Sequence, residues 1–230
     1  VNQFKQDICL VDGWDVGFRI VANDATDEVL AELGETDIPH SVFNSKRPEE
    51  FYLNRVYSAY NHCVHSSNYD NVCLINSDMA FSEGWLANLL KHHNGTNIPC
   101  SRLVESGKMA SGQYGINLGS MHFGRSPNEF DDESWQIFAE LTKEDAIVDG
   151  GLYMPCVFEK ARFIEAGMFP RGNLFNVNGS IEVGHANDKP FFMSGDAFFF
   201  SEVLESRFNM KHITVLDSIV YHIQEGEKDS

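Results

Sequence analysis

Short apolar clusters alternate along this chain with polar turns, and the spacing changes from two to between three and four. Phe4, Ile8 and Val11 are spaced like one helix face, which Asp12-Gly13 ends. Phe18 to Ala22 reads as a short buried strand. Asn23 to Asp27 follows as a polar turn, with Thr26 or Asp27 capping a helix that carries Val29, Leu30 and Leu33 and stops at Gly34. His40 to Asn44 is extended. Phe51 to Val64 is helical, with Leu53, Val56, Tyr57, Tyr60 and Val64 on one side. Val72 to Ile75 is a second buried strand closed by Asn76-Ser77-Asp78, and Trp85, Leu86, Leu89 and Leu90 mark the next helix.

The pattern weakens from Asn94 to Asp132, which reads as extended pieces and loops. Ser134 to Leu141 is helical. Residues 150–155 form a loop leading to a helix near Lys160 to Ala166, which Gly167 terminates. Gly172 to Lys189 reads as one long polar loop, of a length that often serves as a binding lid. Ala197 to Phe208 is a helix opening at Ser194-Gly195-Asp196. Ile213 to Leu216 and Ile219 to Tyr221 are short strands, and His222 leads into a charged tail. Strands alternating with helices predict an α/β fold with a mainly parallel sheet, in which ligands bind at the carboxyl ends of strands. Asp24 and Asp78 both fall at such ends.

Charge sharpens this picture. The formal net charge of −17 opposes nucleic-acid binding, and no basic stripe offsets it. A diphosphate ligand would be repelled as well unless a divalent cation screened it. The five cysteines are widely spaced, with no Cys-x-x-Cys pair, which predicts reduced thiols and a cytoplasmic setting. No apolar run is long enough for a membrane span. Asn94-Gly95-Thr96 and Asn178-Gly179-Ser180 read as turns. The absence of an initiator Met suggests a trimmed chain.

Four side chains are candidates for chemistry. Asp78 follows a buried strand, and Mg2+ or Mn2+ takes hard oxygen ligands, usually one or two from the protein. Each candidate also has a plain structural role: Asp78 as a turn residue, Asp24 and Asp196 as helix caps, His222 as a hydrogen-bonded core group. No two of the nine His stand at metal-ligand helical spacing, and no P-loop or Gly-x-Ser-x-Gly pattern occurs.

Taken in order, these segments resemble the inverting family-2 glycosyltransferases with the GT-A fold. The strand and acidic turn of residues 20–27, the helix ending at Asn61, the strand and turn through Asn76-Ser77-Asp78 before Trp85-Leu86, Gly195-Asp196-Ala197, and Val220-Tyr221-His222 are each similar to one motif of that family. The resemblance covers roughly residues 18 to 225 and implies a single GT-A domain over 1–230. Its nucleotide part would be about 1–95 and its acceptor part about 96–230.

The resemblance also implies the ligands: a nucleotide-diphosphate-sugar donor, a glycan or other hydroxyl acceptor, and Mn2+ or Mg2+. It assigns Asp24, with Asn23, Asn44, Asn61, Asn76 and Arg102, to the donor pocket. It gives the metal to Asp78 and His222 and the base role to Asp196. Three positions depart from the pattern. Asn76 stands where an Asp is common, Gly195 stands where an acidic residue is common, and the family's first strand is expected to be missing, with Val1 inside the helix that follows it. The competing expectations are a nucleotidyltransferase acting on a sugar phosphate and a non-catalytic carbohydrate- or partner-binding domain.

Overall fold

The computed structural model describes residue 11 and residues 13–44, 52–106, 114–184 and 191–223. The helix expected from Phe4 to Val11 and the charged tail after Ile223 lie outside the described residues. The chain divides into two compact units that interleave in sequence. One comprises residues 1–14, 73–158 and 209–230, the other residues 15–72 and 159–208.

The second unit begins with two parallel strands, β1 (Ile20–Asn23) and β2 (His40–Phe43). They are joined through α1 (Asp27–Gly34), whose Thr26 cap accepts the Val29 N–H. Helix α2 (Tyr52–Ser66) follows. Strand β3 (Asn71–Leu74) then leads into the sheet of the first unit. That sheet continues with β4 (Met79–Phe81), β5 (Asn97–Glu105), β6 (Ile116–Asn117), β7 (Ile147–Asp149) and β8 (Cys156–Glu159). Helix α3 (Trp85–Lys91) lies between β4 and β5, and α4 (Asp132–Thr142) between β6 and β7.

After α5 (Lys160–Glu165) the chain forms β9 (Asn173–Val177), β10 (Ser180–Gly184) and β11 (Phe191–Met193), a three-stranded antiparallel sheet of order β10-β9-β11. Helix α6 is continuous over residues 195–208, with wider π-helical turns at Phe198–Glu205. Strand β12 (Lys211–His222) closes the fold.

The large sheet has the order β3-β8-β5-β12-β4, with β6 beside β5 and β7 beside β12. It is mixed, which corrects the expectation of a mainly parallel sheet. Strand β12 runs parallel to β5 but antiparallel to β4 and β7, and β8 is antiparallel to β5. The two short strands expected at 213–216 and 219–221 are one strand, whose register shifts between Val215 and Ile219. The shift turns Ser218 into the interior, where it bonds the Ser101 hydroxyl at 2.8 Å and donates to the Trp85 carbonyl at 2.9 Å. A polar pair inside the sheet is thereby satisfied rather than stranded.

The expected loop from 172 to 189 contains a β-hairpin. Asn178 and Gly179 have φ of 52° and 86° and sit between Val177 and Ser180, which pair directly. Two residues with positive φ are what a tight turn between twisted strands requires, and Asn-Gly supplies them at low cost. Strand β5 also escapes a periodicity reading. It is buried along most of its length yet carries Pro99, Ser101, Arg102 and Glu105, so no apolar run marks it. Asn94-Gly95-Thr96 is a turn as expected, with Asn94 Oδ1 accepting the Thr96 and Asn97 N–H groups at 3.1 and 2.9 Å.

Each unit has its own aromatic core. In the first, Phe123, Trp135 and Tyr221 pack with Ala80, Val104, Ala139 and Ile219. The Phe123 and Tyr221 rings meet edge to face at 5.5 Å, and the Tyr221 hydroxyl donates to the Gly124 carbonyl at 3.1 Å. In the second, Phe169 contacts Tyr57, Phe163 and Phe199 at ring distances of 5.4, 5.2 and 4.9 Å. Asn61 fixes that ring from behind: its amide nitrogen donates to the Phe169 carbonyl at 2.9 Å, and its oxygen accepts the Phe169 N–H at 3.0 Å. Asn61→Ala leaves both backbone groups of a 3% exposed residue unpaired. It should lower unfolding stability by about 2–4 kcal/mol. Urea titration checks this, and a loss under about 0.5 kcal/mol would show the clamp to be redundant.

Candidate functional site

The first unit gathers its acidic candidates through strand register. His222 ends β12. Its partner on parallel β5 is Glu105, the last residue of that strand, and its partner on antiparallel β4 is Met79, the first residue of that one. Asp78 immediately precedes Met79, and its carbonyl accepts the Ile223 N–H at 2.8 Å. The imidazole is therefore set between two carboxylates. Nδ1 lies 2.8 Å from Glu105 Oε1, and Nε2 lies 3.1 Å from Asp78 Oδ2. Glu105 is buried at 7% side-chain exposure, whereas Asp78 is 42% exposed. Asp78 is thus the open end of the cluster.

Burial of the His222 ring disfavours its charged form. The hydrogen bonds to Asp78 and Glu105, and the charge of both carboxylates, outweigh that and raise its pKa from 6.5 to about 9. Without a cation the cluster is an imidazolium between two carboxylates.

Among the described residues, no group of three or more His, Cys, Asp or Glu is arranged to hold a metal ion. Two ligands suffice for a cation that also takes phosphate and water oxygens. Two ligands at right angles on an octahedral ion, each about 2.1 Å from it, stand about 3.0 Å apart. The 3.1 Å between Asp78 Oδ2 and His222 Nε2 fits that spacing. Glu105 would hold the proton on Nδ1 and leave the Nε2 lone pair toward Asp78, the usual support for a metal-binding imidazole. The resemblance puts residues 102–105 at the pocket, but it did not reveal Glu105 as the partner of His222, which follows only from the parallel register of β5 and β12.

The second unit holds the other candidates. Asp24 follows β1 with φ of 51°, and its N–H donates to the Phe43 carbonyl at the end of β2. Its carboxylate lies 3.7 Å from Arg55 Nη1, with side-chain exposures of 9% and 16%. The Arg55 guanidinium stands 5.8 Å from the centre of the Tyr52 ring, and the Asn23 amide donates to the Arg55 carbonyl. Among the described residues the buried Arg55 Nε has no hydrogen-bond partner. Arg55 had no sequence signal apart from lying near one turn into a helix. Asn44 is exposed just after β2.

Asp196 lies in the first turn of α6. Its Oδ1 accepts the Ala197 N–H at 2.8 Å, and its own N–H donates to the Tyr57 hydroxyl at 3.3 Å. Gly195 before it is buried. A Cβ there would collide with the Gly172 carbonyl oxygen and stand 2.8 Å from Tyr57 Cε2.

The structure thus brings Asp78 together with His222, Asp24 with Asn23 and Arg55, and Asp196 with Tyr57. Two expected donor contacts are engaged otherwise. Asn61 holds the Phe169 backbone. The Arg102 guanidinium donates to the Tyr114 and Thr142 carbonyls and to Glu144 at 2.7 Å. Asn76 is half-buried in the segment leading to Asp78.

No family model and no curated protein matches this sequence. Among solved structures the chain is similar to the crystal structure of GalNAc-T7 with UDP, GalNAc and Mn2+, at a TM-score of 0.51 and 13% identity. The alignment covers 90% of this chain and 37% of that one, so this chain spans little more than a third of that structure's length. A likeness at this identity establishes a shared fold, the GT-A architecture, and does not single out family 2. Among the described residues no helix is long and apolar enough to cross a membrane.

Two outcomes follow from this geometry. In metal-free protein the His222 ring should carry protons on both nitrogens at pH 7.5, visible in long-range 15N NMR. Its contribution to stability is complete below pH 6.5 and disappears as pH rises through about 9. A neutral ring at pH 7.5 would contradict the two-carboxylate setting. Gly195→Ala should cost about 1–3 kcal/mol through overpacking, read from denaturant unfolding. A neutral effect would mean that the Gly172 segment yields freely.

Proposed function

We propose that the chain is a metal-dependent glycosyltransferase of the family-2 type. It would transfer a sugar from a nucleotide-diphosphate-sugar to an acceptor hydroxyl with inversion. The observation that carries the reading is the convergence of Asp78 and His222 at adjoining strand ends, with Glu105 behind the imidazole. A fold shared with a structure that holds UDP and Mn2+ supports it.

Asp78 and His222 would hold a Mn2+ or Mg2+ ion, which when bound supplies positive charge to the departing diphosphate. Glu105 keeps the proton on Nδ1 and so orients the ring. Asp24 and Arg55 present an acceptor beside a donor, a combination suited to the polar edge of a nucleotide base. Asp196 takes the proton of the acceptor hydroxyl as its oxygen attacks the anomeric carbon, and the bond from that carbon to the diphosphate breaks. Attack on the face opposite the leaving group gives inversion.

Thermal melts with a panel of nucleoside diphosphates, each with and without Mn2+, test the binding half. A ligand at one hundred times its dissociation constant adds about 2.7 kcal/mol, which raises Tm by roughly 5–10 °C in a chain of this size. Asp78→Ala should abolish the Mn2+-dependent part of the shift. Asp196→Ala should keep the shift and reduce transfer by about 10²–10⁴-fold. Absence of any shift across the panel would sink the reading, and metal-independent glycan binding would replace it with a carbohydrate-binding role.

A further inference from the structure

Wide cysteine spacing predicts separate, reduced thiols, and strand register changes that expectation for two of them. Cys100 lies within β5 and Cys156 begins β8. The two strands run antiparallel, with these residues directly opposite each other. The Ser101 N–H donates to the Pro155 carbonyl at 3.0 Å. That bond joins the residue after Cys100 to the residue before Cys156, the pattern that flanks a non-hydrogen-bonded pair in an antiparallel ladder. Such a pair is the closer of the two kinds, with Cα atoms about 4.5 Å apart and both side chains on one face of the sheet. A disulfide takes Cα atoms about 4.4–6.8 Å apart, so this kind of pair can be bridged.

The side chains agree with the backbone. The Cys100 thiol donates to the Tyr153 carbonyl at 3.9 Å, so its sulfur already points toward the segment entering β8. Cys156 Sγ lies 3.9 Å from Met154 Sδ in the same segment. Both cysteines are fully buried within the first unit. Burial also pushes the Cys156 thiol well above its ordinary range, so it keeps its proton while the sheet is closed.

Oxidation therefore proceeds through local opening, and the junction suits it. Among the described residues, Cys100 and Cys156 form the one register pair between β5 and β8, whereas β5 pairs with β12 from Asn97 to Glu105. The β5–β8 junction is the part of the sheet that a covalent link has most to add to. Cys73 is the alternative partner. It is half-buried on β3, at the other side of β8.

We propose that Cys100 and Cys156 are a redox pair that closes to a cross-strand disulfide under oxidising conditions and ties β5 to β8. The inference does not depend on the glycosyltransferase reading. The oxidant is a small disulfide such as oxidised glutathione. One cysteine, deprotonated on opening, attacks a sulfur of that disulfide, whose S–S bond breaks as one glutathione thiolate leaves. The other cysteine attacks the mixed disulfide at the protein sulfur and releases the second glutathione. Two S–H groups become one S–S bond, and their two electrons and two protons convert the oxidised glutathione to two thiols. The link closes the chain between 100 and 156, which carries β6, α4 and β7.

The test equilibrates the whole chain at about pH 8 in glutathione buffer rich in the oxidised form. A parallel sample contains urea well below the unfolding transition, so that opening does not limit the reaction. After acid quenching and alkylation, peptide mass mapping should find Cys100 joined to Cys156, with Cys63 and Cys73 alkylated. Oxidation should raise Tm by roughly 5–15 °C, because the link removes freedom from the unfolded chain, and dithiothreitol should reverse the rise. Cys100→Ala and Cys156→Ala should each abolish it. The mapping uses the unaltered chain, so a variant that folds poorly leaves the test intact. Free thiols at both positions in both samples would overturn the proposal, as would a link from Cys73 to Cys156 in its place. A mapped Cys100–Cys156 link that leaves Tm unchanged or lowers it would also overturn it, because the strands would then have to distort to close.

Discussion

The pairing of β12 with unlike neighbours is the constraint on which the first unit depends. A strand parallel to one neighbour and antiparallel to the other brings the end of the first beside the beginning of the second. His222 thereby meets the last residue of β5 and the residue preceding β4 in one place. A purely parallel sheet would set three strand ends side by side, with Asp78 reached only through a strand running the same way. The antiparallel β4 turns Asp78 back onto the imidazole instead. The register shift at 215–219 belongs to the same design. Glu105 meets His222 only because the shift is absorbed upstream, where Ser101, Ser218 and the Trp85 carbonyl satisfy one another in the interior.

The second unit depends on an aromatic core with few degrees of freedom. Phe169 is gripped through its backbone by Asn61 and through its ring by Tyr57, Phe163 and Phe199. Tyr57 links this core to the start of α6. The position of the Asp196 backbone is thus set by packing rather than by a loop. The glycine at 195 is the local consequence, since close packing of the phenol leaves no space for a Cβ.

Much of this could be read in the sequence where a local pattern carries the information. The helices at 52–66, 85–91 and 132–142, and the strand ends at Asp24 and Asp78, follow from apolar spacing and polar turns. Strand β5 does not, because its buried polar residues are paid for by partners more than forty residues away. The Asn-Gly at 178–179 was legible as a turn, but the hairpin around it was hidden because β10 is exposed from Ser180 to Val183, with no buried apolar face to mark it. The site divides the same way. Asp78 and His222 come from residue type and position after a strand. Glu105 and Arg55 come only from register and helix placement, and Arg102 and Asn61 have partners that composition does not suggest.

Charge bears on the cation site proposed at the end of β12. With its imidazole protonated, the cluster carries one net negative charge in a chain that is already at −17. Among the described residues, the partly buried guanidinium of Arg102 in this unit already faces a carboxylate of its own, Glu144. An approaching diphosphate would therefore meet repulsion from the cluster. On the proposed reading, a divalent cation held by His222 and Asp78 would displace the Nε2 proton, and that exchange would replace one positive charge with two. The cluster would then be neutral, and a diphosphate could share the ion without opposing charge behind it. The raised pKa of His222 bears on that exchange: its proton would oppose cation binding at neutral pH, and the opposition would weaken as pH rises.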